Sequence, residues 1–218
     1  MLDARLRRAI DRPLERLCGP LAAVGLTANA LTLIGFAIGL GAIAAIALQA
    51  FLLGLGLLLV NRLFDGLDGA LARRQGLSDL GGFLDIVLDF IVYSGVPFAF
   101  ALADPATNGL AAAFLILSFV GTGTSFLAFA VMAAKRGLST ELRGQKSLYY
   151  LGGLTEGTET IAALVLACLL PGWFPAIAYA FGALCWLTTA TPGALAYRYY
   201  DGAGLPGAAT AGCCWVML

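Results

Sequence analysis

The 218-residue chain has no histidine, and only 12% of its residues are charged. Sixty per cent are hydrophobic, which excludes an ordinary soluble domain and fits a polytopic membrane protein. The five cysteines, Cys18, Cys168, Cys185, Cys213 and Cys214, form no Cys-x-x-Cys pair. Neither a zinc site nor a disulfide framework is therefore expected, and Cys168 and Cys185 read as small apolar filler. The formal net charge is zero, so bulk charge points to no partner, and nucleic acid is not expected among them. The first twenty residues are too charged to supply the apolar core of a cleavable signal peptide, so none is expected.

What charge there is gathers in one stretch between two apolar runs, Asp65 to Asp89, DGLDGALARRQGLSDLGGFLDIVLD. It holds Asp65, Asp68, Arg73, Arg74, Asp79, Asp85 and Asp89. Carboxylates at membrane depth are costly and usually face a cavity, so they mark function. Asp65 and Asp68 stand three apart and Asp85 and Asp89 four apart, which on a helix puts each pair on one face, about 60° and about 40° apart. Two adjacent antiparallel helices would then point four acids at one place. Four close carboxylates in a low-dielectric site call for cations. With oxygen ligands, no histidine and no nearby cysteine, the cations expected are Mg²⁺ or Mn²⁺ rather than Zn²⁺. Such ions with Arg73 beside them suit a pyrophosphate group. Gly69 and Gly81 remove side chains where a ligand or a neighbouring helix approaches.

The pattern Asp65-x2-Asp68-Gly69-x2-Ala72-Arg73, followed by Gly81-x3-Asp85-x3-Asp89, resembles the signature of the CDP-alcohol phosphotransferases. All eight residues agree in type and order. Seven residues separate Arg73 from Gly81, one fewer than is common in that family. The resemblance implies a CDP-linked lipid or alcohol donor, a small alcohol or lipid acceptor, and release of CMP. It implies two Mg²⁺ ions, with Mn²⁺ as a substitute, on Asp65, Asp68, Asp85 and Asp89. It further implies donor contacts at Gly69, Ala72, Arg73 and Gly81, and Asp89 as the base that takes the acceptor's hydroxyl proton. The opening Thr27-Ala-Asn-Ala-Leu-Thr32 is similar to the Thr-Pro-Asn-x-x-Thr of many relatives, with Ala28 for proline. It makes Asn29 and Thr32 donor-binding candidates; capping of the first span by Thr27 or Asn29 is the plain alternative. The family also implies a homodimer, which glycine-rich spans permit.

The remaining chain sets these residues in an all-α polytopic fold of six transmembrane helices. Residues 1–20 alternate Arg5, Arg7, Arg8, Arg12 and Arg16 with leucines and Ile10 at helical spacing. They read as an amphipathic helix on the membrane surface against anionic lipid, or as a cytosolic helix on a partner. Residues 21–200 form the transmembrane domain, with spans near 30–50, 51–72, 80–102, 110–134, 157–170 and 176–196, and 201–218 form a short tail. Asp104 and the residues after it read as a turn. Of thirteen Lys and Arg residues, all but Arg62 fall on one side of these spans. That places both termini and the aspartate cluster on the cytoplasmic side, as in a bacterial inner membrane. Arg62, three residues before Asp65, is expected to pair with an aspartate of the cluster rather than to touch substrate. Arg143, Lys146 and Glu159 are acceptor-binding candidates; positive-inside charge for the first two, and a favourable helix start for Glu159, are the plain alternatives. Two other functions use similar residues. A UbiA-like prenyltransferase also holds a diphosphate on aspartate-rich helices, and a cation transporter would use the carboxylates as ion ligands.

Overall fold

The computed structural model describes residues 18–23, 25–135 and 157–200. Among them there is no strand. Six helices follow in order: α1 (Ala28–Ala47), α2 (Phe51–Gln75), α3 (Asp79–Ala103), α4 (Pro105–Lys135), α5 (Gly157–Leu169) and α6 (Phe174–Tyr200). Residues 18–23 are also helical. Most of the amphipathic segment 1–20 lies outside the described residues, as do Arg143, Lys146 and the tail 201–218.

The helices start and stop where local chemistry directs. Thr27 caps α1, its hydroxyl accepting from the Ala30 amide at 3.2 Å, so capping is what this threonine does. The amide of Ala28, which has no partner within the helix, donates instead to Gln75 Oε1 at 3.2 Å, while Gln75 Nε2 donates to the Leu26 carbonyl at 2.8 Å. The last residue of α2 thus closes the first turn of α1. Between α2 and α3 the chain reverses in three residues. Gly76 takes φ +105°, a value that side-chain-bearing residues rarely adopt, and Ser78 caps α3 by accepting from the Gly81 amide at 3.0 Å. The expected turn after Asp104 is shorter than the sequence suggests. Asp104 alone separates α3 from α4, because Pro105 is well suited to a first helical position and Asp104 Oδ1 accepts from the Thr107 amide at 3.1 Å. The hydrogen bonds from Thr107 hold the exposed Asp104 carboxyl below its ordinary range.

Helix α1 packs on both α2 and α3, α3 on α4, α4 on α6, and α2 and α6 on α5. Close contact of α1 with its neighbours depends on Gly39. A Cβ there would lie 2.8 Å from Val92 Cγ2 and 3.2 Å from Asn61 Nδ2. The main core joins Ile46, Leu58, Val96, Phe119, Leu164 and Phe181. Phe100 is stacked between Phe51 and Phe174, with ring centroids 5.5 and 4.3 Å away. A second cluster seats Cys18 and Leu31 against Leu67, Ala70 and Leu71, tying the N-terminal segment to the aspartate end of α2.

Large apolar side chains cover the outside while polar ones are buried. Leu52 is 74%, Phe83 61% and Leu110 77% exposed, whereas Asn61, Asp68, Asn108 and Ser118 are buried. That inversion is expected of a surface solvated by lipid. Four helical stretches, within α1, α3, α4 and the segment Pro171–Ala190, are long and apolar enough to cross a membrane. Helix α2, at 25 residues, spans about 37 Å and has the length but carries the charged motif. Helix α5 is shorter, 13 residues. The all-helical membrane fold expected from the sequence is the fold observed.

Candidate active site

The motif residues lie along the second half of α2 and the first half of α3. Because α1 packs on both, Asp65 and Asp68 of α2 meet Asp89 of α3 across a cleft that α1 closes with Thr32, Gly35 and Phe36. Carboxylate oxygens of Asp65, Asp68 and Asp85 come within 4.8 Å of one another. Asp68 is buried, Asp65 half-buried and Asp85 exposed, so the cluster runs from the protein interior to its surface. Thr32 Oγ1 donates to Asp68 Oδ2 at 2.6 Å and fixes the deepest carboxylate. Ligands on opposite sides of one hard cation stand about 4–5 Å apart. Three carboxylates at these separations, with no histidine or cysteine in the cluster among the described residues, therefore fit a divalent cation of the Mg²⁺ or Mn²⁺ kind.

Asp89 lines the same cleft but is held differently. Arg62 Nη2 donates to Asp89 Oδ1 at 2.6 Å and Nη1 to Asp89 Oδ2 at 3.1 Å, a two-pronged pair. The guanidinium is itself anchored. Its Nε donates to Asn61 Oδ1 at 2.9 Å, and Asn61 Nδ2 donates to the Gly35 carbonyl at 2.8 Å. Nη1 also donates to Tyr93 Oη at 2.7 Å, with the guanidinium carbon 4.9 Å from the Tyr93 ring centroid. A longer contact, 3.7 Å, reaches Asp65. The sequence reading of Arg62 as a partner of the aspartates holds, and Asp89 is its main partner. Tyr93 was not singled out in the sequence. The available signal was its position four residues after Asp89, one helical turn along the same face.

The other motif residues sit around the turn between α2 and α3. A Cβ on Gly69 would lie 3.8 Å from Arg73 Nη1. Ala72 and Arg73 occupy the last turns of α2, with Arg73 exposed. A Cβ on Gly81 would lie 3.0 Å from Ser78 Oγ and 3.1 Å from Asn29 Oδ1, so Asn29 stands directly against this glycine. Asn29 and Thr32, read separately in the sequence, are thus brought to Gly81 and Asp68 respectively. Glu159 lies in the first turn of α5. That helix starts next to the cleft, since a Cβ on Gly157 would lie 4.0 Å from Tyr93 Oη.

The structure is a bundle of apolar helices with a carboxylate cluster where α2 and α3 face each other beside α1. The family pattern for CDP-alcohol phosphatidyltransferase matches residues 25–191, and the chain belongs to this family. It is 54% identical over 191 residues to the inner membrane protein YnjF of Escherichia coli, covering 88% of this chain and 93% of that one. It is 42% identical over 100 residues to the archaetidylinositol phosphate synthase of Pyrococcus horikoshii, covering 45% of this chain and 53% of that one. Its fold is similar to that of the Mycobacterium tuberculosis phosphatidylinositol phosphate synthase PgsA1 solved with CDP-DAG. There the TM-score is 0.63 at 20% identity, over 85% of this chain and 94% of that one. The same synthase solved with manganese and citrate gives a TM-score of 0.64 at 22% identity, over 84% and 88% of the two chains. The protein is accordingly an integral membrane CDP-alcohol phosphotransferase of phospholipid biosynthesis. The prenyltransferase and transporter readings give way to this assignment.

Proposed function

We propose that the protein transfers a phosphatidyl or substituted phosphoryl group from a CDP-linked lipid to an alcohol, with Asp65, Asp68 and Asp85 as ligands of Mg²⁺. The reading takes up to two ions, with Mn²⁺ as a substitute, and Asp89 would serve as a fourth ligand only when released from Arg62. The observation that carries the proposal is the meeting of three carboxylates within 4.8 Å, two of which, Asp65 and Asp68, line one cleft with a fourth, Asp89. The bound cation would neutralise the diphosphate and the charge that develops on departing CMP. The chain's own residues do the rest. Thr32 fixes Asp68. Arg73 meets a further phosphate oxygen. Gly69, Ala72, Gly81 and Asn29 line the space for the cytidine end. Asp89 accepts the hydroxyl proton as the acceptor oxygen bonds to the phosphorus distal to cytidine and the P–O bond to CMP breaks.

The donor class is supported by the CDP-DAG bound to PgsA1, and the metal class by the manganese bound to it. Two relatives named as inositol phosphate lipid synthases put a phosphorylated polyol first among the acceptors to try. Arg143, Lys146 and Glu159 would recognise that acceptor. The arrangement proposed is six spans over residues 21–200, a surface helix over 1–20 and a tail from 201. It works as a homodimer in a bacterial inner membrane, with the cleft open to the cytoplasm.

The test is CMP release by the purified protein in detergent with Mg²⁺. CDP-diacylglycerol is supplied with inositol phosphate, glycerol 3-phosphate, inositol, serine or choline. CMP is expected with one acceptor, and EDTA should stop its release until Mg²⁺ is restored. Asp89→Asn is expected to abolish turnover while CDP-diacylglycerol still binds in the presence of Mg²⁺. Full turnover in that variant would remove Asp89 as the base.

A further inference from the structure

The four aspartates are not equivalent in their surroundings. Asp65, Asp68 and Asp85 converge on one another. Both oxygens of Asp89 are instead taken by the fork of Arg62, whose side chain is only 9% exposed. A buried arginine is costly unless every donor finds a partner. Here Nε binds Asn61, both terminal nitrogens bind Asp89, and Nη1 also binds Tyr93. Asn61 is buried and in turn tied to the α1 backbone at Gly35. The guanidinium is therefore held directly from α2 and α3 and, through Asn61, braced against α1.

The geometry points to Arg62 as a positioning residue that divides the acids three and one. Its planar fork sets the orientation of Asp89, and its charge, 3.7 Å from Asp65, opposes cations at the neighbouring cluster. This rests on the transferase reading for its catalytic half only. The two halves separate by chemistry. Lysine keeps the charge but has no planar fork, whereas glutamine loses the charge.

The experiment compares Arg62→Lys and Arg62→Gln in the full-length protein in detergent. Mn²⁺ binding to the ligand-free protein is read by electron paramagnetic resonance, CMP release gives kcat and donor KM, and thermal unfolding gives stability. Arg62→Lys is expected to bind Mn²⁺ within about twofold of wild type, because the charge remains. Its kcat should fall about tenfold or more with donor KM within about threefold, because Asp89 loses its orientation. Arg62→Gln is expected to bind Mn²⁺ about tenfold more tightly. A wild-type kcat in Arg62→Lys would overturn the positioning role, as would a kcat loss matched by collapse of thermal stability. Unchanged Mn²⁺ affinity in Arg62→Gln would overturn the charge role. Should Arg62→Gln fail to fold, weakened or tightened Mn²⁺ binding in Arg62→Lys decides against it. Tightened Mn²⁺ binding in Arg62→Gln, with no CMP from wild type on any donor, would uphold the charge role and sink the transferase reading together with the positioning role.

Discussion

Thr32 and Tyr93 carry different lessons at the scale of single residues. Thr32 donates to a buried carboxylate at 2.6 Å, and a hydrogen bond to a charged group is worth about 1.5–3 kcal/mol. Thr32→Val keeps the shape and removes the donor. Mn²⁺ affinity should fall roughly tenfold through a looser Asp68, as measured by titration of the ligand-free protein. An unchanged affinity would show that Asp68 needs no such restraint. The candidacy of Thr32 was legible in the sequence through its resemblance to a family segment, but its partner was not, since Asp68 lies thirty-six residues away. Tyr93 was illegible for another reason. An aromatic in an apolar span ordinarily packs in the core or against lipid, and the arrival of Arg62 from α2 adds a guanidinium donor at 2.7 Å to the 3.4 Å bond that the Tyr93 hydroxyl donates to Asp89.

At the scale of elements, the site depends on how closely α1 approaches the helices that carry the acids. Gly39 faces Val92 of α3 and Asn61 of α2 at once. Gly39→Ala would press a methyl against Val92, which is 1% exposed and has little room to turn. A destabilisation of about 1–3 kcal/mol is expected, together with reduced turnover, because Asn61 anchors Arg62. Thermal unfolding and CMP release would show whether both fall together; retention of both would mean that the helices separate without cost. Helix existence is readable from long apolar runs; for the start of α1 the sequence offers Thr27 or Asn29 as the cap, and the structure uses Thr27. The sequence pattern puts the fourth span from near residue 110, whereas α4 begins at Pro105. Four mixed residues after Asp104 look like a loop, yet the capping carboxylate and Pro105 are enough to begin the helix at once.

At the scale of the whole molecule, an apolar exterior around a polar cleft fits a lipid-solvated bundle. The charge asymmetry along the chain then predicts sidedness. In a cysteine-free background, a single cysteine replacing Leu77, in the turn between α2 and α3, should react with a membrane-impermeant thiol reagent only from the cytoplasmic face. One replacing Leu48, at the end of α1, should react only from the other. Reversed labelling would place the cleft outside and deny it a cytoplasmic donor.

The class of this protein follows from its amino-acid order alone. Long apolar runs leave a helical membrane bundle as the stable outcome, because backbone polar groups in lipid must be satisfied within the segment. The spacing of acids along α2 and α3 determined that each pair shares a face. Tertiary structure decided how those acids are divided. Periodicity along one helix says nothing of what stands opposite, and Arg62 faces Asp89 only because α1 seats α2 and α3 on either side of one cleft. That seating makes three carboxylates a cluster fit for a cation and leaves the fourth in the grip of a guanidinium.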